Sequence, residues 1–191
     1  MPHRFYISLI AGLALGACAS NSFHGGSLTP TSDLAICATT VSNAPSLDRN
    51  GTVSAYDPYA RIGSVILARA PVHGCLSSGF GPRRGGAGSF HKGIDLYTNG
   101  PMEIGAGGDG IVEFIGDKRG YGRTIIIRHN DRLTTRYGHL SKYARGLKPG
   151  MRVRRGDIIA MTGNSGNATA VHLHYEILIG DNAQNPLTVG R

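Results

Sequence analysis

Glycine constrains this chain more than any other residue: it fills 29 of the 191 positions, while tryptophan fills none. Each glycine inside a helix costs about 1 kcal/mol relative to alanine. Long helices are disfavoured, and short strands joined by tight turns fit better. The runs between glycines agree. Gly110-Ile-Val-Glu-Phe-Ile-Gly116 is β-branched and aromatic, with a glycine at each end. Residues 123–129 and 132–137 flank the turn-prone pair Asn130-Asp131 and read as a hairpin. Further strands are expected at 62–67, 152–155, 157–162 and 172–179. Only residues 141–146 suggest a helical turn. The length suits one domain. The expected fold is all-β, with antiparallel sheets forming a single groove-bearing domain over residues 61–191.

The N-terminus reads differently. A short basic start, Met-Pro-His-Arg, precedes an almost uninterrupted apolar run from Phe5 to Ala17. That is the form of a secretory signal, and it is shorter than the roughly 20 residues of a membrane span. The run ends Leu15-Gly16-Ala17-Cys18, which resembles the bacterial lipobox. The resemblance implies a signal peptide over residues 1–17, a lipid on Cys18 and a periplasmic lipoprotein of the cell envelope. Ala19 and Ser20, in the next positions, imply the outer membrane. An ordinary signal followed by an unmodified cysteine is the competing reading. Residues 18–60 are rich in small and polar residues and read as a flexible tether. Cys37 lies in that stretch and Cys75 beyond it. Export permits a disulfide between them, but two separate thiols fit the sequence as well.

The formal net charge is +8. Residues 71–191 carry 16 Lys/Arg against 9 Asp/Glu, whereas residues 18–70 carry three of each. A basic domain attracts anionic partners. No recognised nucleic-acid motif is present, so nucleic acid is not expected. A wall polymer bearing carboxylates, or a merely solvated basic surface, remains.

Chemistry concentrates at three places. In His172-Leu-His-Tyr-Glu-Ile177, side chains on a strand alternate, so His172, His174 and Glu176 share one face. Leu173, Tyr175 and Ile177 share the other, which suits a core. In His91-Lys-Gly-Ile-Asp95, a histidine and a carboxylate could reach one ion if the chain bends at Gly93. Catalytic zinc usually takes three protein ligands and keeps one position for water. His91, Asp95 and one of His172 and His174 would supply them. The third place is Tyr137-Gly-His139, where a histidine follows a strand end. His73 and His129 are expected to be polar residues hydrogen-bonded to nearby backbone. Glu176 could orient a histidine or lie on the surface. Gly105-Ala-Gly-Gly-Asp-Gly110 has a nucleotide-loop spacing, but a strand-like run follows it instead of a helix, so it reads as a turn.

Together these elements resemble the lysostaphin/LytM family of zinc peptidases, which cleave peptidoglycan peptides. The resemblance rests on His91-Lys-Gly-Ile-Asp-Leu96, Tyr137-Gly-His-Leu-Ser141 and His172-Leu-His-Tyr-Glu176 in that order. Pro71 to Arg83 and Asn185-Pro186 add to it, and it covers residues 65 to 188. It implies one zinc ion on His91, Asp95 and His174, with His139 and His172 catalytic beside it. The implied substrate is a peptidoglycan peptide cross-link. The family's usual Thr-Gly-Pro before the late histidine pair is replaced by Thr169-Ala-Val171, which bears on specificity and removes no ligand. Lipoproteins resembling this family also include non-catalytic regulators of other wall hydrolases, which have lost zinc ligands. No ligand is missing here.

Overall fold

The computed structural model describes residues 22–23, 25–83 and 90–191. The signal segment and Cys18 lie outside the described residues. One large sheet carries the site. Its strands are β1 (Cys75–Ser78), β2 (Ile94–Tyr97), β3 (Gly110–Lys118), β4 (Gly122–Arg128), β5 (Leu133–Gly138), β6 (Arg152–Val153), β7 (His172–Ile179) and β8 (Asn182–Gln184). The order across the sheet is β6-β3-β4-β5-β7-β2-β1, and β8 pairs with the end of β7. Every strand pair is antiparallel. A three-stranded sheet of Lys142–Tyr143, Ile158–Met161 and Glu103–Gly105 lies apart from it. The all-β expectation holds, with no helix among the described residues.

The core follows strand alternation. Leu173, Tyr175 and Ile177 of β7 are fully buried, beside Ile125 and Ile127 of β4 and Tyr137 of β5. The two buried tyrosines need partners for their hydroxyls. The Tyr137 hydroxyl accepts from the Gly107 N–H at 2.7 Å, and the Tyr175 hydroxyl donates to the Ala68 carbonyl at 3.0 Å. A Cβ on Gly107 would stand 2.5 Å from the Tyr175 oxygen. Within the Gly105–Gly110 turn, position 107 therefore requires glycine because it packs on these hydroxyls. His73 and His129 bond to the carbonyls of Thr29 and Asp109 at 2.8 and 2.7 Å, as expected, and His129 Nε2 also meets the Thr135 hydroxyl at 2.9 Å.

Two local expectations change. The apolar run at 62–67 is the middle of a hairpin, Tyr59–Ile62 with Val65–Ala68, turned at Gly63 with φ of 61°. The helical turn expected at 141–146 is a short strand followed by a turn, because Lys142–Tyr143 pairs with Met161 and Ala160.

The tether is the larger correction. Residues 25–60 pack along the domain instead of hanging from it. The Phe23 N–H donates to the Arg152 carbonyl and the Leu28 N–H to Gly156, each at 2.8 Å, while along the edge of β1 the Cys37 N–H donates to the Leu76 carbonyl and the Leu76 N–H to the Ala35 carbonyl. Leu34 and Val53 are 1% and 4% exposed and belong to the main core. Cys37 and Cys75 form a disulfide. The segment is too poor in apolar residues to build its own core, but it borrows the domain's. Leu34→Ala is expected to cost about 2–5 kcal/mol in chemical denaturation. An unchanged midpoint would mean that the segment contributes nothing to the fold.

Candidate metal centre

His91 lies on the two-residue strand Phe90–His91, and Asp95 lies four residues on, in β2. The chain between them bends against β7 at Gly93. A Cβ there would collide with the Tyr175 carbonyl, so the bend requires glycine. The β2–β7 register then sets Asp95 opposite His174 and Tyr97 opposite His172. This register, which the spacing of the two histidines left open, puts His174 in the cluster.

Three ligand-type atoms converge. His174 Nδ1 is 2.8 Å from Asp95 Oδ1, His91 Nε2 is 3.1 Å from the same oxygen, and the two nitrogens are 3.1 Å apart. All three residues are buried. Their other nitrogens face pure acceptors. His91 Nδ1 donates to the Gly79 carbonyl at 2.6 Å and His174 Nε2 to Glu176 Oε1 at 3.0 Å. In neutral imidazoles this leaves a lone pair on each inner nitrogen. Two lone pairs and a carboxylate oxygen facing one another call for a cation between them. His91, Asp95 and His174 form a group that could hold a metal ion, and their donor set suits zinc.

Without a metal the same geometry would hold a proton on His174. Burial disfavours a charged His174, but its bonds to Asp95 and Glu176 outweigh this and raise its pKa to about 9. Burial would raise Asp95, but bonds from His174 and His91 hold it well below the usual carboxylate range. Arg83 also donates to Asp95 Oδ2 at 3.2 Å from the rim.

Glu176 is fully buried. Besides His174 it accepts the Tyr121 hydroxyl at 2.8 Å and Arg136 Nη1 at 2.7 Å. The orienting role left open by its sequence position is the one the structure supports. Sequence reading missed both of these partners. Arg136 stands directly opposite Glu176 in the β5–β7 register, so strand pairing would have found it. Tyr121 sits in the β3–β4 turn, where no periodicity points to it.

His139 and His172 flank the cluster, with ring centroids 4.8 Å apart. His139 follows β5 with φ of 61°, a left-handed conformation unusual for a non-glycine residue. Its Nδ1 donates to the Ser165 carbonyl at 2.7 Å, and His172 Nδ1 donates to the Ala170 carbonyl at 2.8 Å. Each therefore keeps Nε2 as an acceptor. His172 Nε2 stays 3.7 Å from Asp95 Oδ1. Burial, then the neighbouring histidines His172 and His174, lowers the His139 pKa, which keeps that ring neutral. Both histidines line a groove of about 420 Å³ together with Arg83, Lys92 and Tyr121.

Residues 89–186, which hold all five of these histidine and aspartate positions, match the model of Peptidase family M23. The chain belongs to this family. Its M23 relatives include the peptidoglycan DD-endopeptidase ShyC of Vibrio cholerae, 36% identical over 148 residues, which are 75% of this chain and 34% of that protein. The outer membrane antigenic lipoprotein B of Haemophilus influenzae is 30% identical over 177 residues, 92% of this chain and 41% of the relative. The crystal structure of a zinc containing peptidase from Vibrio cholerae superposes with a TM-score of 0.59 at 29% identity, covering 73% of this chain and 42% of that one. The chain thus spans less than half the length of these two curated relatives. The M23 match begins after β1, so the N-terminal segment with Cys37 lies outside it.

Proposed function

We propose that the chain is a zinc-dependent endopeptidase hydrolysing peptide cross-links of peptidoglycan. The observation that carries this is the convergence of three buried acceptor atoms, from His91, Asp95 and His174, between two histidines with free Nε2 atoms. One zinc ion on the three, when bound, would lower the pKa of a water to about 7 and polarise an amide carbonyl. The chain has no His-Glu-x-x-His motif to supply a glutamate base. His139 and His172 take over that work as a pair. One Nε2 accepts a proton from the attacking water and delivers it to the leaving amine. The other, when protonated on both nitrogens, donates from Nε2 to the charge that develops on the carbonyl oxygen. The backbone carbonyls on their Nδ1 atoms fix the tautomer that the base needs. Glu176 does the same for His174, and Gly79 for His91. Arg83 and Lys92 give the groove positive charge toward the free carboxylates of wall peptides.

The reading draws support from M23 membership and from the relative named as a peptidoglycan DD-endopeptidase. In cleavage of purified sacculi, His139→Ala is expected to lose about 10²–10⁴-fold in rate while retaining its zinc. Undiminished release of cross-linked peptides would sink the mechanism. A metal assay finding no zinc in protein isolated without chelators would favour a non-catalytic wall-binding regulator instead.

The envelope location rests on Leu15-Gly16-Ala17-Cys18 and on the lipoprotein relative. The protein is read as anchored by a lipid on Cys18, at the outer membrane and facing the periplasm. Labelled palmitate should enter the full chain and be absent from Cys18→Ala. Equal labelling of the two would remove the anchor.

A further inference from the structure

His91 is supported from β1. Its Nδ1 meets two groups at the end of that strand, the Gly79 carbonyl at 2.6 Å and the Ser78 hydroxyl at 3.3 Å. The Gly79 carbonyl fixes the tautomer that leaves Nε2 free for an ion. On its inner side this end of β1 is irregular. Its register with β2 shifts between Leu76 and Ser78, and Ser78 faces Asp95 only beyond that shift.

The N-terminal segment grips the same two residues from the outer side. Ser42 bridges Ser78, and the Ser42 carbonyl accepts the Gly79 N–H at 2.7 Å. A Cβ on Gly79 would collide with the Asn43 carbonyl, so this contact requires glycine. The Asn43 amide also lies against Gly81, which pairs with His91 on the neighbouring short hairpin. Ser42 and Asn43 therefore back the strand ends that hold His91 on both sides.

An arch keeps Ser42 and Asn43 in place. Upstream, the segment bridges β1 at Ile36 with Leu76. Six steps along the segment, from Ile36 to Ser42, match two along β1, from Leu76 to Ser78, so the chain between them leaves the strand. Ala38, Thr39 and Thr40 are exposed, and Ala38 and Thr39 line a cavity of about 610 Å³ together with Ser77 and Asp95. The middle of the arch adds little packing, and its hold rests on its ends. The Cys37–Cys75 disulfide fixes the first end covalently. Without it, the bonds from Cys37 to Leu76 and from Leu76 to Ala35 are left there. Bonds at a sheet edge open locally, since water competes for them, and a cross-link removes the chain entropy that favours opening.

We propose, resting on the metal centre of the peptidase reading, that the Cys37–Ser42 arch is a positioning element for His91, and that its disulfide sets the zinc affinity of His91, Asp95 and His174. Zinc loading then depends on oxidation of the chain. When the S–S bond forms, the two thiols give up two protons and two electrons. A disulfide oxidant takes them up and leaves as two thiols. The reduced chain keeps every ligand but holds His91 loosely. The arch lies outside the residues that match the M23 model, so it belongs to this chain's own N-terminal segment.

The test is the zinc dissociation constant of the full chain, measured by competition with a chelating dye. Cys37→Ser with Cys75→Ser leaves neither thiol of the pair to bind zinc itself. This paired variant should bind zinc about 10–100-fold more weakly than oxidised wild type, the loss expected when a ligand's outer partner is disturbed. Gly79→Ala, whose Cβ forces Asn43 away with the disulfide intact, should weaken zinc in the same direction and serves if the paired variant does not fold. Leu34→Ala separates positioning from stability. It loosens the same segment's packing on the core and touches neither end of the arch, so it should lower Tm and leave the zinc constant unchanged. Wild-type affinity in either folded variant overturns the proposal, as does a loss of zinc that Leu34→Ala shares. Wild-type protein that binds zinc with the expected dependence on the disulfide but cleaves no sacculi overturns the peptidase reading alone. Wild-type protein that binds no zinc overturns both.

Discussion

Replacing His174 with alanine is expected to leave protein that folds, binds no stoichiometric zinc and cleaves sacculi about 10³-fold more slowly or worse. A metal supplies several kcal/mol of transition-state stabilisation, and each 1.36 kcal/mol is tenfold in rate. His174 is the residue most tied into the site. Its Nδ1 faces Asp95 and His91, and its Nε2 holds Glu176. Without it two acceptors remain, too few for a catalytic zinc. His172, whose Nε2 is 3.7 Å from Asp95 Oδ1, is not placed to substitute. His172→Ala should by contrast keep its zinc and lose rate alone. Metal analysis beside a peptide-release assay separates the two variants. Equal zinc in His174→Ala and wild type would remove His174 from the ligand set.

Glu176→Ala should be the most destabilising change at the site. Its carboxylate accepts from His174, Tyr121 and Arg136 with no exposure to water. Burial alone would raise its pKa, but these donors lower it, so it is held ionised. Removing it leaves the mostly buried Arg136 cation unpaired. Breaking a buried ion pair from one side costs about 3–5 kcal/mol. For a chain of this size that is a drop in Tm of roughly 6–20 °C. Replacing both partners, Glu176→Leu with Arg136→Leu, should recover much of the stability. It should not recover zinc affinity, because His174 would still lack its orienting acceptor, a loss of about 10–100-fold. Calorimetry with and without zinc reads both effects. Full zinc affinity in the double variant would show that Glu176 serves the fold and not the metal.

The fold was legible where the sequence is periodic. Alternation along β7 identified the core face of Leu173, Tyr175 and Ile177, and the turn-prone pair Asn130-Asp131 identified the hairpin of β4 and β5. What sequence could not supply was pairing. Asp95 meets His174 because β2 runs antiparallel to β7 in one register, and a shift of two residues would have offered His172 instead. The same limit hid Arg136, which is unremarkable until β5 lies beside β7. Residues 25–60 were misread for another reason. Their composition argues against a core of their own, yet Leu34, Val53 and Cys37 needed only a surface already made by the rest of the chain. Composition weighs a segment alone, and this one folds against something. The departure at Thr169-Ala-Val171 also gains a place, since Thr169 and Ala170 line a cavity beside the groove together with Cys37 and Cys75.

X-ray diffraction from crystals of zinc-loaded protein, recorded on both sides of the zinc absorption edge, tests the metal centre most directly. One anomalous peak is expected, within about 2.0–2.2 Å of His91 Nε2, Asp95 Oδ1 and His174 Nδ1, with His139 and His172 beside it and unbound. A peak on His172 instead of His174, or no peak at the cluster in protein that still cleaves sacculi, would contradict the metal centre described here.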